Sequence, residues 1–321
     1  MYELSGFKMT DSQVERWLRA FIPEQELYYI NESELISDIR AMGFPVYSRQ
    51  QFAEAAGDYL GEYGAGYRHW NVASTTSIAL IESAALKDKQ LRAKLFAHQT
   101  ELGRGHVYAL DWIQELGPEC LRVFYEEDSI AGDQLLLTHS AWNRLSETCR
   151  QLWLMKWLRE RLDPSISLPA DVVREQILEG NLIPETCKKA IISHLQLFPM
   201  SSGANCFSAA IGCFLGSSKI IESWLNVERF LDRVNEEGLV ECGEITRYSE
   251  LELIHPDQVL VWENEKGGLI HAAYSISDTL LFNKMGQFWF QPWHCLAAAS
   301  IWNYGNCLSG GGRIILFRRP T

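Results

Sequence analysis

Gly203-Ala204-Asn205-Cys206-Phe207-Ser208-Ala209-Ala210 and, farther along, Gly267-Gly268-Leu269-Ile270-His271-Ala272-Ala273-Tyr274 are the two stretches on which the reading of this 321-residue chain turns. The first is a polar run feeding an apolar segment of small residues. It predicts a helix that starts at Cys206 with Asn205 as its cap. Ala209, Ala210 and Cys213 form a small-residue stripe suited to close packing on a sheet, with Phe207, Ile211 and Phe214 on the adjacent face. The second stretch predicts a short strand carrying a histidine where alternation expects a small apolar side chain. If the two side chains meet, they form a nucleophile and its base.

The chemistry behind that expectation is simple. A cysteine attacks as the thiolate, and an unperturbed thiol is only slightly ionised at neutral pH. Unpaired N–H groups and the macrodipole at a helix start favour the anion. An imidazole at position 271 would take the Cys206 proton and later return it to the leaving group. The plain alternatives are a packed thiol and a core histidine bonded to its own backbone.

Such an imidazole needs a third group to orient it. Ser277-Asp278 reads as a hairpin turn, with Asn283 on the following strand. A three-residue loop centred on Ser277 sets Asn283 opposite His271, whereas a two-residue loop sets Lys284 there, a poor orienter. Asn283 is the expected third residue and Gln291 the fallback.

Up to Pro199 the chain reads as successive helices: Asp11–Ile22, Ser48–Tyr63, Thr75–Leu102, Gln134–Leu162, Pro169–Leu178 and Pro184–Leu197. Beyond Pro199 come the Cys206 helix, an amphipathic helix over Lys219–Glu237, and then strands. The strands expected are Val259–Trp262, Leu269–Ile276, Thr279–Phe282, Phe288–Gln291 and Arg313–Phe317. Helices followed by strands indicate an α+β chain, with an all-helical domain over 1–198 and a helix-plus-antiparallel-sheet domain over 199–321.

From about Ser201 onward, the order of these motifs resembles the NlpC-type branch of papain-like cysteine peptidases. The resemblance is carried by Asn205-Cys206, Pro256-Asp257-Gln258-Val259-Leu260-Val261-Trp262, Leu269-Ile270-His271-Ala272-Ala273 and Leu281-Phe282-Asn283-Lys284. Two departures stand out: Asn-Cys-Phe-Ser replaces the usual Asp-Cys-Ser-Gly, and Asp257 follows Pro256 without the family's glycine. The resemblance implies a papain-like domain and amide hydrolysis through a thioester, with Cys206 as nucleophile, His271 as base and acid, and Asn283 as orienter. An acyltransferase using the same dyad, and a catalytically inactive binding or assembly protein, are the other classes carried forward.

Composition narrows the partners. With 41 acidic against 29 basic residues, a net charge of −12 disfavours nucleic acid and anionic membranes. No stretch approaches the roughly 18 apolar residues of a membrane span. Met1–Thr10 lacks the apolar core of a signal peptide, and the eight scattered cysteines suit reduced thiols, so a cytoplasmic setting is expected. There is no Cys-x-x-Cys pair and no His-Glu-x-x-His helix, so neither a metal nor a cofactor is expected. Cys307, the aromatic run Phe288–Trp293 and the polar-aromatic Tyr67-Arg68-His69-Trp70 complete the features weighed. A peptide or small amide is the expected substrate, and the helical region is the expected surface for a protein partner or self-association.

Overall fold

The computed structural model describes residues 2–55, 73, 75–126, 129–162, 167–180, 182–302 and 312–320. Tyr67-Arg68-His69-Trp70, Cys307 and Gly310-Gly311 lie outside them. The chain divides into two compact units, one formed by Met1–Asp11 with Arg159–Thr321 and the other by Ser12–Leu158. The second unit therefore ends upstream of the 198/199 boundary expected from composition. The reason is packing: Val173, Ile177, Cys187, Ala190 and Ile191, from two helices before Pro199, share one core with Cys206–Phe214.

Strands are numbered along the chain: β1 (Tyr2–Leu4), β2 (Phe7–Met9), β3 (Glu26–Ile30), β4 (Val46–Ser48), β5 (Ser77–Ile81), β6 (Val107–Ala109), β7 (Ile130–Ala131) and β8 (Gln134–Leu136). In the Ser12–Leu158 unit, β3-β5-β4 and β6-β8-β7 form two three-stranded antiparallel sheets. The expected all-helical region is thus mixed. Short apolar runs carry no period of their own, so Ser77–Ile81 merges by sequence with the helical pattern that follows it, whose helix covers only Lys89–Glu101. Within this unit Gln99, on that helix, accepts the Tyr29 N–H at 2.9 Å and donates to the Tyr29 carbonyl at 2.7 Å. Cys120 and Cys149 form a disulfide with Cα atoms 5.9 Å apart, correcting the expectation that all thiols are reduced. Thiol composition is then no argument for a reducing compartment. No helix among the described residues is long and apolar enough to cross a membrane.

The C-terminal part of the other unit holds β9 (Val240–Ile245), β10 (Val259–Glu263), β11 (Leu269–Ser275), β12 (Leu280–Lys284), β13 (Trp293–Ala297) and β14 (Arg313–Arg318). They form an antiparallel sheet in the order β13-β12-β11-β10-β14-β9. Side chains alternate between its faces. Val259, Val261, Ala272, Tyr274, Leu280, Phe282, Trp293 and Cys295 share a core with the Cys206–Phe214 helix. Leu260, Trp262, Ala273, Leu281 and Leu296 belong to a separate core with Ile301 and Trp302. Phe288–Gln291 is a turn and not the expected strand, and the Lys219–Glu237 segment is two helices, Ser218–Ile221 and Val227–Glu236.

All nine residues of the Cys206–Phe214 helix are buried, so its end groups must be satisfied locally. At the start, Asn205 Oδ1 accepts the Ser208 N–H at 3.0 Å, and the Ser208 hydroxyl lies 3.0 Å from the Asn205 N–H. At the end, Gly216 N–H reaches the Cys213 carbonyl and Ser217 N–H the Gly212 carbonyl, with Gly216 at φ +63°. Gly212 sits where this helix meets Ile221: a Cβ there would lie 2.6 Å from the Ile221 nitrogen. Gly212→Ala is expected to cost about 1–3 kcal/mol in urea unfolding. Gly243→Ala, whose Cβ meets only Leu316 Cδ1 at 3.7 Å, serves as the tolerant control.

Candidate functional site

Cys206 opens its helix as expected and is 7 % exposed. Burial is the largest influence on its thiol and pushes it up to about 11. Opposing this, the backbone N–H groups of Ala272, Phe207 and Cys206 itself favour the anion, and the Lys284 ammonium adds a favourable field. Asn205 positions the helix start from below, donating from Nδ2 to the Leu225 carbonyl at 2.6 Å. The loop before it is tied to the β12–β13 turn by Gly203 N–H to the Gln287 carbonyl, 2.8 Å, and by Trp289 N–H to the Ser202 hydroxyl, 3.2 Å.

His271 lies across the β10–β11 ladder from Trp262, and the two rings meet edge to face at 5.3 Å. Trp262 belongs to the core on the sheet face away from the Cys206 helix. Alternation therefore aims Ala272 toward Cys206 and His271 away from it. The expected meeting of Cys206 and His271 is not what the sheet arranges: Ala272, one residue along the strand, shares the Cys206 core, and His271 stands on the Trp262 face. A bulge in the β10–β11 register between Trp262 and Glu263 falls next to His271, opposite Ile270. Burial lowers His271 to about 4, against a hydrogen bond with Asn283 that favours the protonated ring. Near neutral pH both thiol and imidazole are uncharged, so no thiolate–imidazolium pair exists in this arrangement.

Asn283 stands on the His271 side of the sheet, by a register other than the one expected. The three-residue loop is Ser277-Asp278-Thr279, centred on Asp278. Tyr274 pairs with Phe282 and Ser275 with Leu281. Continued outward, that register sets Asn283 beside Ala273 and brings His271 level with Met285. A shift by two leaves every side chain on its face, so Asn283 stays on the His271 side. Its Nδ2 also contacts Met285 Sδ at 2.7 Å. Gln291, the fallback, instead accepts the Phe288 N–H of its own turn at 3.2 Å.

Two buried groups escaped sequence reasoning. Lys284 pairs with Trp293 across β12–β13, on the Cys206 face, and is 0 % exposed. Its Nζ donates to the carbonyls of Gly286 at 2.5 Å and Phe288 at 2.9 Å. Burial lowers it to about 7, countered by the Cys206 thiolate. His294 pairs with Asn283 on the other face; its two ring nitrogens have no hydrogen-bond partner, and burial, Lys284 and His271 hold it down at about 3. The signal for Lys284 was available: it follows Leu280 and Phe282 at the alternation of the covered face.

Among the described residues, two other groups gather metal-type donors, Glu32 with His98 and Glu101, and Glu119 with Cys120 and Cys149. Both are already committed. His98 Nε2 accepts the Asn31 N–H at 3.4 Å, which puts the ring proton on Nδ1, 3.2 Å from Glu32 Oε1. Cys120 and Cys149 are spent in their disulfide. Tyr274 is core, donating to Asp257 Oδ1 at 2.8 Å, and Asp257 adopts φ +62° at the position after Pro256. Phe288 and Phe290 stack at 5.0 Å within the half-buried turn. No family model, curated protein or solved structure matches the chain.

The buried histidines carry a pH signature. Their folded pKa values lie below the unfolded value of about 6.5, so the unfolded chain binds protons that the folded one refuses. The stability they contribute is complete above pH ~6.5 and is lost as pH falls toward 4. Urea unfolding at descending pH should show this loss. His294→Phe should remove up to about 3 kcal/mol of it while leaving stability at pH 7.5 unchanged or higher.

Proposed function

We propose that this protein is a thiol enzyme of acyl transfer, hydrolysing an amide or peptide bond with Cys206 as its nucleophile. The observation that carries this reading is a cysteine at the capped first position of a fully buried helix, where the neighbouring backbone N–H groups of Ala272, Phe207 and Cys206 favour the thiolate. Such donors favour charge at Sγ and are aimed where an oxyanion forms during attack on a carbonyl. Sγ adds to the carbonyl carbon, the C–N bond breaks, and the amine departs with a proton. Water then adds to the thioester, releasing the acid and restoring the thiol. If an amine or alcohol takes the place of water, the same intermediate gives acyl transfer. His271, oriented by Asn283, is the second proton carrier in this reading. The order of elements supports the assignment: helix-borne cysteine, then β11 histidine, then β12 asparagine.

A second reading, a non-catalytic binding or assembly domain, is favoured by the imidazole lying on the opposite face and by the raised thiol pKa. An activated ester decides between them. With 4-nitrophenyl acetate, the acetyl group is expected on Cys206 in preference to Cys242, the half-buried free thiol among those described. Cys206→Ala should abolish turnover, and His271→Ala should slow it by about 100-fold or more. Equal acetylation of both thiols, with turnover unchanged in Cys206→Ala, establishes the binding domain instead.

A further inference from the structure

We propose that Lys284, not His271, is the group that accepts the proton of Cys206, so that the reactive pair of this site is a cysteine and a lysine on the helix-covered face of the sheet. The inference deepens the thiol-enzyme reading and depends on it only for its catalytic use.

The valences of the amine carry it. A neutral lysine has two N–H donors and one lone pair. At Lys284 the donors are met by the Gly286 and Phe288 carbonyls, at 2.5 and 2.9 Å, inside a site with no solvent exposure. The lone pair is the valence left over. Of the titratable side chains, those that interact electrostatically with Nζ are Cys206 from the helix and His294 from β13. His294 sits in the ladder opposite Asn283, on the other face. His271, on β11, acts on His294 and bonds Asn283. Cys206 is thus the acid on Lys284's own face. The proton passes from Sγ to Nζ, leaving a thiolate and an ammonium on the same face of the sheet. No further reactant is needed.

The arrangement is also mechanically coupled. The turn whose carbonyls hold Nζ bonds the Ser202-Gly203 segment leading to Cys206. Burial brings Lys284 down to about 7, so a substantial neutral fraction able to accept a proton is present from neutral pH upward. Lysine at this position is otherwise hard to account for. A buried ammonium without a paired anion is costly, and a methionine would fill the same space.

The test reads ionisation and not turnover. Native protein is alkylated with iodoacetamide between about pH 5.5 and 10.5, and the Cys206 peptide is quantified by mass spectrometry against that of Cys242. The wild-type rate is expected to rise in two limbs, one near neutrality leading to a plateau and one in the alkaline range. Lys284→Met should lose the neutral limb and slow Cys206 at pH 8 by at least about tenfold; His271→Ala should keep it. A single alkaline limb in the wild type overturns the proposal, as does loss of the neutral limb in His271→Ala, and both hold even if Lys284→Met does not fold. A neutral limb that survives Lys284→Met also overturns it. Two limbs without acetyl turnover would leave the pair intact and remove the hydrolase, while turnover with a single limb would do the reverse.

Discussion

Everything in the C-terminal sheet unit depends on a helix with no solvent face. A fully buried helix gains from apolar contact along its length, but it brings orphan N–H and C=O groups into a medium where leaving them unpaired costs several kcal/mol. The sequence Asn205-Cys206-Phe207-Ser208 answers this at one end and Leu215-Gly216-Ser217 at the other. The small residues between, Ala209, Ala210, Gly212 and Cys213, let the backbone approach the sheet and Ile221. The cap also fixes the position of Sγ. It is the first side chain of a helix whose start is locked, so it is delivered to the Ala272 N–H with little freedom of its own.

Burial then governs the chemistry. Cys206 and Lys284 occupy one face of β11–β12, and His271, Asn283 and His294 the other. Desolvation drives each titratable member toward its neutral form: the thiol upward, the amine and imidazoles downward. Of these, Lys284, at about 7, is the one partly charged at neutral pH. Charge arises by moving a proton between two groups that are both already present. The face on which each group stands decides which transfer is open, because the strand backbone separates the two sets.

The legible parts of this fold are those with a strong local signature. The Cys206 helix, its Asn205 cap and most of the C-terminal strands follow directly from pattern. The three-residue strands near the N-terminus do not, because runs that short fit either period. At the site, the residue types were legible and their faces were not. Alternation within β11 is visible in sequence, but which parity meets the helix depends on where the small residues fall. Ala272 and Tyr274, and not His271, pack under Ala209 and Cys213. The expected Asn283–His271 pairing is replaced by Asn283 beside Ala273, and Asn283 keeps its face only because the shift is even. Lys284 was visible as a charged residue in an apolar phase, yet it was weighed only as an orienter for histidine.

Charge separation in so dry a site is opposed by the same desolvation that keeps the groups neutral, so the donors around Sγ have to offset it. Three backbone N–H groups and one ammonium are available, and none must reorganise when the thiolate forms. In the proposed reaction, as Sγ bonds to a carbonyl carbon its negative charge moves to the carbonyl oxygen, and the backbone donors are relieved of the sulfur. Those close to the new position, at the helix start, follow the charge. The ammonium on the covered face keeps the proton until an amine leaves. A histidine on the far face can share in that last step only by passing the strand, whereas Lys284 stands on the same face as the sulfur. Under the proposed cysteine–lysine pair, formation of the nucleophile falls to the face that the helix covers.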